Sequence, residues 1–189
     1  MFQKGREEIE EKQAIQCLRM LTDAVERNPQ NSVFGPLPSE LELMTIIVYD
    51  FLGENSTKAG LWAYGYTKYP ESPNLDRMFA DYEELLQEIR ALRFYDKDKP
   101  LSTSDAIKII NSLKFEENQA NCLVLFAAPQ DTKPLPILDP YSNIKRIVVV
   151  GFNDTELQYA AGERGVAVSV PYHYVDDDIF NVLDAINGR

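Results

Sequence analysis

Two apolar runs decide the predicted fold: NCLVLFAA at residues 121–128 and IKRIVVVGF at residues 144–152. Apart from Lys145 and Arg146 near the start of the second run, neither run alternates apolar with polar residues. Such continuous apolar runs are typical of strands covered on both faces. A third apolar run, GVAVSV at residues 165–170, follows a short helical pattern. Buried strands that alternate with helices predict an α/β fold with a mostly parallel central sheet and helices on both faces.

The segments around these strands carry helical patterns. Apolar side chains recur every three or four residues, which predicts helices at 75–94, 103–114 and 176–187, and a short helix at 154–162. Further upstream, AGLWAYGYTKY at residues 59–69 is predicted as another strand, which the prolines that follow it end.

The first 53 residues are harder to assign. Residues 6–28 show a partial apolar stripe at helical spacing, so residues 1–30 are interpreted as an N-terminal helical arm before an α/β domain at residues 31–189. In residues 39–53, the β-branched run TIIV favours a strand, whereas a Ser followed three residues later by a Glu is a capping box and favours a helix. A helix is the preferred assignment.

Composition excludes several kinds of partner. The 189 residues include 19 Lys and Arg against 30 Asp and Glu, so the net charge is −11. Nucleic-acid binding needs a basic surface, and anionic lipid also attracts cations, so neither partner is expected. No apolar run approaches the roughly 20 residues of a membrane span, and the charged N-terminus does not resemble a signal peptide.

Nucleophiles and metal ligands are scarce. The cysteines are Cys17 and Cys122, the only histidine is His173, and the sequence contains no zinc-type spacing of these residues. Cys122 is expected to be a buried thiol and His173 a loop residue, although a pairing of the two stays open at this point. Phosphate-binding glycine motifs and the nucleophile-elbow motif are also absent. No enzyme activity, catalytic residue or cofactor is therefore predicted. The alternative is a small α/β enzyme or nucleotide-binding protein of unknown substrate.

Ligands of open α/β folds usually bind beyond the carboxyl ends of the strands. That rule directs attention to residues 127–131, 151–154 and 171–174. Tyr172 and Tyr174 in the last segment are the best contact residues, because tyrosine is enriched where proteins bind one another. The Asp run at residues 176–178 is interpreted as the solvated start of a helix.

The order of these pieces resembles the von Willebrand factor A domain, over about residues 39–187. The resemblance is carried, in chain order, by KAGLWAYGY (58–66), EELLQEIRAL (83–92), STSDAIKIINSL (102–113), NCLVLFAA, IKRIVVVGFNDTELQYAA (144–161) and GVAVSV. It implies a Rossmann-like three-layer sandwich. It also implies a role in protein–protein interaction, often outside the cell and within a larger protein.

Members of this family bind a divalent metal at a site called MIDAS, formed by three loops. The first supplies D-x-S-x-S after the first strand, the second a Thr before a helix, and the third an Asp after the fourth strand. Thr103 matches the second loop, no D-x-S-x-S occurs, and the third loop reads Phe126-Ala127-Ala128. Asp131 lies near that loop and is the available substitute. The resemblance therefore implies a degenerate site, and no metal ligand is assigned.

The first strand of the family has no convincing counterpart. If residues 39–53 form the first helix, the strand should lie near residues 28–37, which are rich in proline. If residues 42–50 form the strand instead, the first helix is missing. One element is expected to be atypical or absent.

The function predicted from these observations is a non-enzymatic protein-interaction or adhesion-type module that does not depend on metal. A scaffold whose helix at residues 6–28 binds a partner helix is a further hypothesis.

Overall fold

The computed structural model describes residues 17–22, 39–52, 57–93, 95–116, 119–127, 135–140, 144–153 and 155–188. Strands and helices follow one another along the chain as β1 (Cys17–Thr22), α1 (Ser39–Leu52), β2 (Lys58–Ala63), α2 (Tyr82–Ala91), α3 (Thr103–Ser112), β3 (Cys122–Ala127), β4 (Arg146–Phe152), α4 (Gln158–Ala161), β5 (Gly165–Val170) and α5 (Asp176–Asn187).

The five strands form one parallel sheet in the order β2-β1-β3-β4-β5. β1 pairs with β2 on one side and with β3 on the other, so it lies inside the sheet. β2 and β5 are its edge strands. The outer side of β2 carries one antiparallel bridge, in which Ala59 and Phe79 exchange backbone hydrogen bonds of 2.8 and 2.7 Å.

A hydrophobic core lies on each face of the sheet. Alternate side chains of β3 point to opposite faces, because the side-chain period of a strand is two residues. Cys122, Val124 and Phe126 join the core beneath α1, α2 and α5, whereas Leu123, Leu125 and Ala127 join the core beneath α3 and α4. All six residues of β3 are buried, which confirms the prediction of a strand covered on both faces.

Several predicted elements are confirmed with close boundaries. β3, β4 and β5 match the three apolar runs, and α5 matches the predicted closing helix. Residues 39–52 form a helix, as preferred over the strand. Three predictions were too long. The short helix predicted at residues 154–162 is observed only at Gln158–Ala161. β2 ends at Ala63, before a left-handed Gly65 with φ 80°, and α2 begins only after Asp81, whose side chain accepts a hydrogen bond from the Glu84 N–H.

The N-terminal prediction is wrong where the structure describes it. Residues 17–22 form a strand of the sheet rather than part of a helix at residues 6–28. The expected arm at residues 1–30 therefore contributes a central strand to the domain, and the remainder of that arm lies outside the described residues. The expectation of a missing first strand, or of one at residues 42–50, is also wrong, because β1 and α1 are both present. The alternative position at residues 28–37 lies outside the described residues.

The physical reason for the wrong helix lies in the neighbouring strands. The sequence CLRMLT is compatible with helical spacing, but β1 gains backbone pairing on both sides, which no local pattern reports.

Among the described residues, no helix is long and apolar enough to cross a membrane.

Candidate functional site at the carboxyl edge of the sheet

All five strands are parallel, so their carboxyl ends lie along one edge of the sheet. The register places Thr22 of β1 beside Ala63 of β2 and beside Phe126 of β3. On the other side, Phe152 of β4 lies beside Val170 of β5. The surface formed by these strand ends and by the described segments that follow them is called here the carboxyl edge.

Thr103 lies at the β2 end of this edge. Its Oγ1 is 3.5 Å from the hydroxyl oxygen of Tyr64, the residue that directly follows β2. Thr103 is the first residue of α3, and Ser102 before it accepts a 3.1 Å hydrogen bond from the Asp105 N–H as the helix N-cap. The Thr103 side chain is 9% exposed. It is therefore a largely buried hydroxyl at a helix start, in contact with a phenol.

Asp105 is the carboxylate of this helix start, but it is already engaged. Lys108 Nζ lies 2.9 Å from Asp105 Oδ1, and the Ser102 hydroxyl donates to Oδ2 at 2.8 Å. The hydrogen bond from Lys108, followed by that from Ser102, holds the pKa of Asp105 below its usual value. The group is an exposed carboxylate with local partners rather than an unpaired ligand.

The end of β3 offers no metal ligand. Phe126 and Ala127 are fully buried, and the Phe126 ring stacks on that of Phe152 with centroids 6.3 Å apart. The proposed substitute, Asp131, lies outside the described residues. Within the described ranges, no group of three or more His, Cys, Asp or Glu side chains is placed to hold a metal ion.

The sequence analysis missed one residue at this edge. Once β1 is located at Cys17–Thr22, Asp23 is the residue that directly follows it, where the family has the first Asp of D-x-S-x-S. The two Ser positions of that motif are occupied by Val25 and Arg27. Correct placement of the first strand is the signal that would have identified Asp23, which itself lies outside the described residues.

The described residues do not by themselves form a divalent-cation site, and Asp23 and Asp131 lie outside them. Mg²⁺ requires six oxygen ligands in near-octahedral geometry. The described residues supply the Thr103 hydroxyl, which contacts Tyr64, and the buried apolar end of β3 lies where the family has a carboxylate. The function proposed below therefore involves no bound metal.

The segment after β4 folds back tightly on its strand. A Cβ atom on Gly151 would lie 2.0 Å from the backbone oxygen of Thr155, so this position accepts only glycine without a backbone shift. The Thr155 N–H closes the turn by donating to the Phe152 carbonyl at 3.1 Å, and Asn153 takes a left-handed φ of 54°. At this part of the carboxyl edge, the backbone of the turn packs directly against the end of β4.

Among the described segments of the edge, the one after β5 exposes large apolar side chains. Tyr172 is 48% exposed and meets the His173 ring edge-on, with centroids 5.0 Å apart. Val175, the N-cap residue of α5, is 61% exposed, and Phe180 in the second turn of α5 is 60% exposed. We call these three large exposed side chains, Tyr172, Val175 and Phe180, the α5-start surface.

Carboxylates surround the α5-start surface. Asp176, Asp177 and Asp178 form the first turn of α5, where the helix dipole favours negative charge. Tyr174 packs towards the start of α1, and its buried hydroxyl makes no hydrogen bond within the described part of the chain. Burial, followed by the charge of Glu42, raises the pKa of Tyr174 to about 12. The Glu42 carboxylate lies near the hydroxyl without a geometry that closes a hydrogen bond, and its nearness and the charge of Glu40 act in the same direction.

The sequence-predicted residues do not converge on one centre. Thr103 contacts the residue after β2, whereas Tyr172 and Tyr174 follow β5, four strand spacings or about 19 Å away. Cys122 begins β3 and His173 follows the opposite end of β5, so the two are separated by about the 16 Å length of a strand. The Cys122–His173 pair therefore does not form.

Cys122 is a structural thiol. It is fully buried, and burial raises the pKa of its thiol to about 12, against a small opposing effect of the Arg146 charge. A cysteine nucleophile requires the opposite shift, because the thiolate is the reactive form.

A small cavity of about 250 Å³ lies away from the α5-start surface, between the segment after β2 and the end of α2. Its polar groups are paired: the Tyr69 hydroxyl donates to Glu88 at 2.9 Å, and Lys68 lies 5.1 Å from the centre of the Tyr95 ring. Burial, together with the Glu88 hydrogen bond, raises the pKa of Tyr69. The raised pKa of the phenol in the Tyr69–Glu88 pair is the opposite of the shift that an activated nucleophile requires.

Comparisons with known proteins agree with this geometry at the level of the fold. No family model matches the sequence, and no curated protein matches it. Three solved structures of proximal thread matrix protein 1 from the mussel byssus match with TM-scores of 0.56, 0.53 and 0.55, at 12%, 10% and 11% identity. Each match covers 91% of this chain. The chain has the von Willebrand factor A fold.

The von Willebrand factor A fold accounts for the element order, but the chain spans only about half of the matrix protein, between 46% and 49% of its length. One of the mussel structures is described as having a zinc-occupied MIDAS motif. That description concerns the mussel protein. In this chain, the described part of the corresponding edge has the apolar β3 end and the Thr103–Tyr64 contact instead.

Proposed function

We propose that this chain is a non-enzymatic protein-interaction module of the adhesion type, and that it binds its partner without a metal. The observation that carries the proposal is the α5-start surface. Three large apolar side chains, Tyr172, Val175 and Phe180, remain 48–61% exposed around the start of one helix. Aromatic side chains of this kind contribute a large share of binding energy at protein interfaces.

Metal independence is supported by the chemistry of the described carboxyl edge. A metal-dependent adhesion site leaves one coordination position for a partner's carboxylate, and the carboxylates of the site must first offset dehydration of the cation. Here the β3 end supplies Ala127 and the α3 start supplies a hydroxyl in contact with Tyr64. Direct apolar and polar contact is the recognition mode that these residues support.

An extracellular location within a larger protein forms part of the proposal. It is supported by the fold and by its likeness to a byssal matrix protein, of which the chain spans about half. The absence of a nucleic-acid partner is supported by the net charge of −11.

The test is capture of a binding partner by the immobilised chain, with cross-linking, from an extract of the source organism. We expect one partner to be retained equally in EDTA and in millimolar Mg²⁺. Tyr172→Ala should weaken retention about thirtyfold, because truncation of an interface hot spot costs roughly 2 kcal/mol. Tyr49→Ala is the matched control, since Tyr49 is 66% exposed on α1, outside the α5-start surface.

Retention that is lost in EDTA would overturn the metal-independent proposal. Equal retention by Tyr172→Ala and the unchanged chain would show that the α5-start surface is not the contact.

A further inference from the structure

The two edges of the sheet are protected very differently. Proteins usually guard an exposed sheet edge with lysine, proline, a bulge or a covering segment, because an open edge pairs readily with other chains. On the outer edge of β2, Lys58 opens the strand and Phe79 forms a bridge to Ala59. β5 has none of these devices in the part of the chain that the structure describes.

β5 reads GVAVSV and contains neither a charge nor a proline. Its register with β4 runs without interruption over six residue pairs, so it carries no bulge. Within the described ranges it pairs with β4 alone. Val166 is 39% exposed and Ser169 is exposed, so side chains on both faces of the strand remain accessible beside the open edge.

The charge around β5 selects the kind of segment that would pair with it. α5 packs on β5 and carries four Asp residues and no Lys or Arg. Asp176 and Asp177 form no ion pair with any residue that the structure describes. Arg164, which directly precedes β5, is already paired with Asp139. A strand added to β5 would therefore lie beside the acidic side chains of α5, and the residue that precedes β5, Arg164, is already paired.

These acidic side chains disfavour pairing of β5 with a second copy of the chain or with another segment of the same chain. Two copies of the chain would each bring a net charge of −11, so self-pairing is opposed by repulsion. The longer segments outside the described residues, 1–16, 23–38 and 128–134, have sequence charges of about −1, −1 and 0, counted from their Lys, Arg, Asp and Glu residues. None of them is cationic.

We propose that the open edge of β5 binds an extended, lysine- or arginine-containing segment of a protein partner by strand addition. The backbone of the added strand pairs with β5. Its cationic side chains lie on the face of the sheet that α5 covers, and its small apolar side chains lie on the opposite face, beside Ala167. The proposal rests on the proposed interaction function and places a second contact, with a stated chemistry, beside the α5-start surface.

The experiment measures fluorescence anisotropy of a labelled peptide, Lys-Val-Thr-Val-Lys-Val-Thr-Val-Lys, with the full chain. A peptide with Glu in place of each Lys is the charge control. We expect binding of the lysine peptide only, and weaker binding as salt rises from about 50 to about 500 mM, because salt screens exposed charges. Hydrogen exchange should slow at residues 165–170 when the lysine peptide binds.

Two variants of the chain separate edge pairing from general attraction. Ser169→Lys introduces a charge that guards the edge and should weaken binding at least about tenfold, or 1.4 kcal/mol. Gln87→Lys adds the same charge on an exposed position of α2 and should change binding less than about twofold. Circular dichroism of both variants checks that the fold is retained.

Equal binding of the two peptides, or equal weakening by Ser169→Lys and Gln87→Lys, would overturn the proposal. Slowed exchange at residues 165–170 that appears on concentrating the chain alone would identify a second copy as the occupant and would also overturn it. If β5 already exchanges slowly in the dilute chain without peptide, a segment of the chain itself covers the edge and the proposal is wrong. Partner capture that responds to Tyr172→Ala but not to Ser169→Lys would leave the proposed function standing without this contact.

Discussion

The position of β1 in the middle of the sheet predicts a severe effect from one backbone change. Met20 pairs with Leu61 of β2 and Val124 of β3. Met20→Pro removes a backbone N–H from the ladder and places a proline ring between two strands. A buried carbonyl left without its donor costs about 1–3 kcal/mol, and proline is confined to sheet edges for steric reasons as well. We expect a total loss of at least about 3 kcal/mol.

Deleting residues 1–22 extends the same reasoning to the whole strand. β1 forms six residue pairs with β2 and five with β3. Parallel strands form about one backbone hydrogen bond per residue pair, so the deletion removes about ten bonds at about 1 kcal/mol each. That sum approaches the entire stability of a typical domain, roughly 5–15 kcal/mol. The shortened chain should not unfold cooperatively.

The assay is urea unfolding followed by far-ultraviolet circular dichroism. Met20→Val is the control, because valine keeps the N–H and favours an extended backbone. We expect a two-state transition for the unchanged chain and the control, a much lower midpoint for Met20→Pro, and no transition for the deletion. An unchanged midpoint in Met20→Pro, or a cooperative transition after deletion of residues 1–22, would refute the central placement of β1.

Three smaller changes test other parts of the structure. Gly151→Ala should lower the free energy of unfolding by about 2–3 kcal/mol, because the new Cβ meets the Thr155 carbonyl; a urea midpoint equal to that of the unchanged chain would contradict the tight turn. Cys122 should not react with a thiol reagent in the native chain. Because its pKa rises from 9.0 to about 12 on folding, stability should be unaffected below about pH 9 and fall by about 1.4 kcal/mol per unit as pH rises towards 12; an equal alkaline loss in Cys122→Ala would oppose this. Tyr174→Phe removes a buried hydroxyl that has no hydrogen bond and should leave stability unchanged or raise it by up to about 1 kcal/mol; a clear loss in thermal unfolding would reveal a partner for the hydroxyl.

The sequence predicts the second half of the fold well for local reasons. β3 and β4 are apolar without alternation, and α5 has apolar side chains at helical spacing and an acidic first turn. These features belong to the segments themselves. Of the two tyrosines named as contact residues beyond the end of β5, Tyr172 is exposed, whereas Tyr174 has a buried hydroxyl.

The first strand was not predictable in the same way. The apolar residues of CLRMLT fit a helix as well as a strand. The strand pairing that decides between the two comes from β2 and β3. From Thr22, at the end of β1, β2 begins 36 residues and β3 begins 100 residues further along the chain. Because β1 was assigned to a helix, Asp23 was not recognised as a candidate ligand, since that role depends on its position directly after the first strand. The separation of Thr103 from Tyr172 depends on strand order, which local patterns do not specify.

The central claim, an interaction module that works without a metal, is tested most directly by thermal unfolding of the chain in EDTA and in millimolar Mg²⁺, Mn²⁺ or Zn²⁺. A ligand at 100 times its dissociation constant stabilises a protein by about 2.7 kcal/mol, or roughly 5–10 °C for a domain of this size. We predict one cooperative transition with the same midpoint in every buffer. A metal-dependent rise of several degrees that Thr103→Ala abolishes would contradict the account.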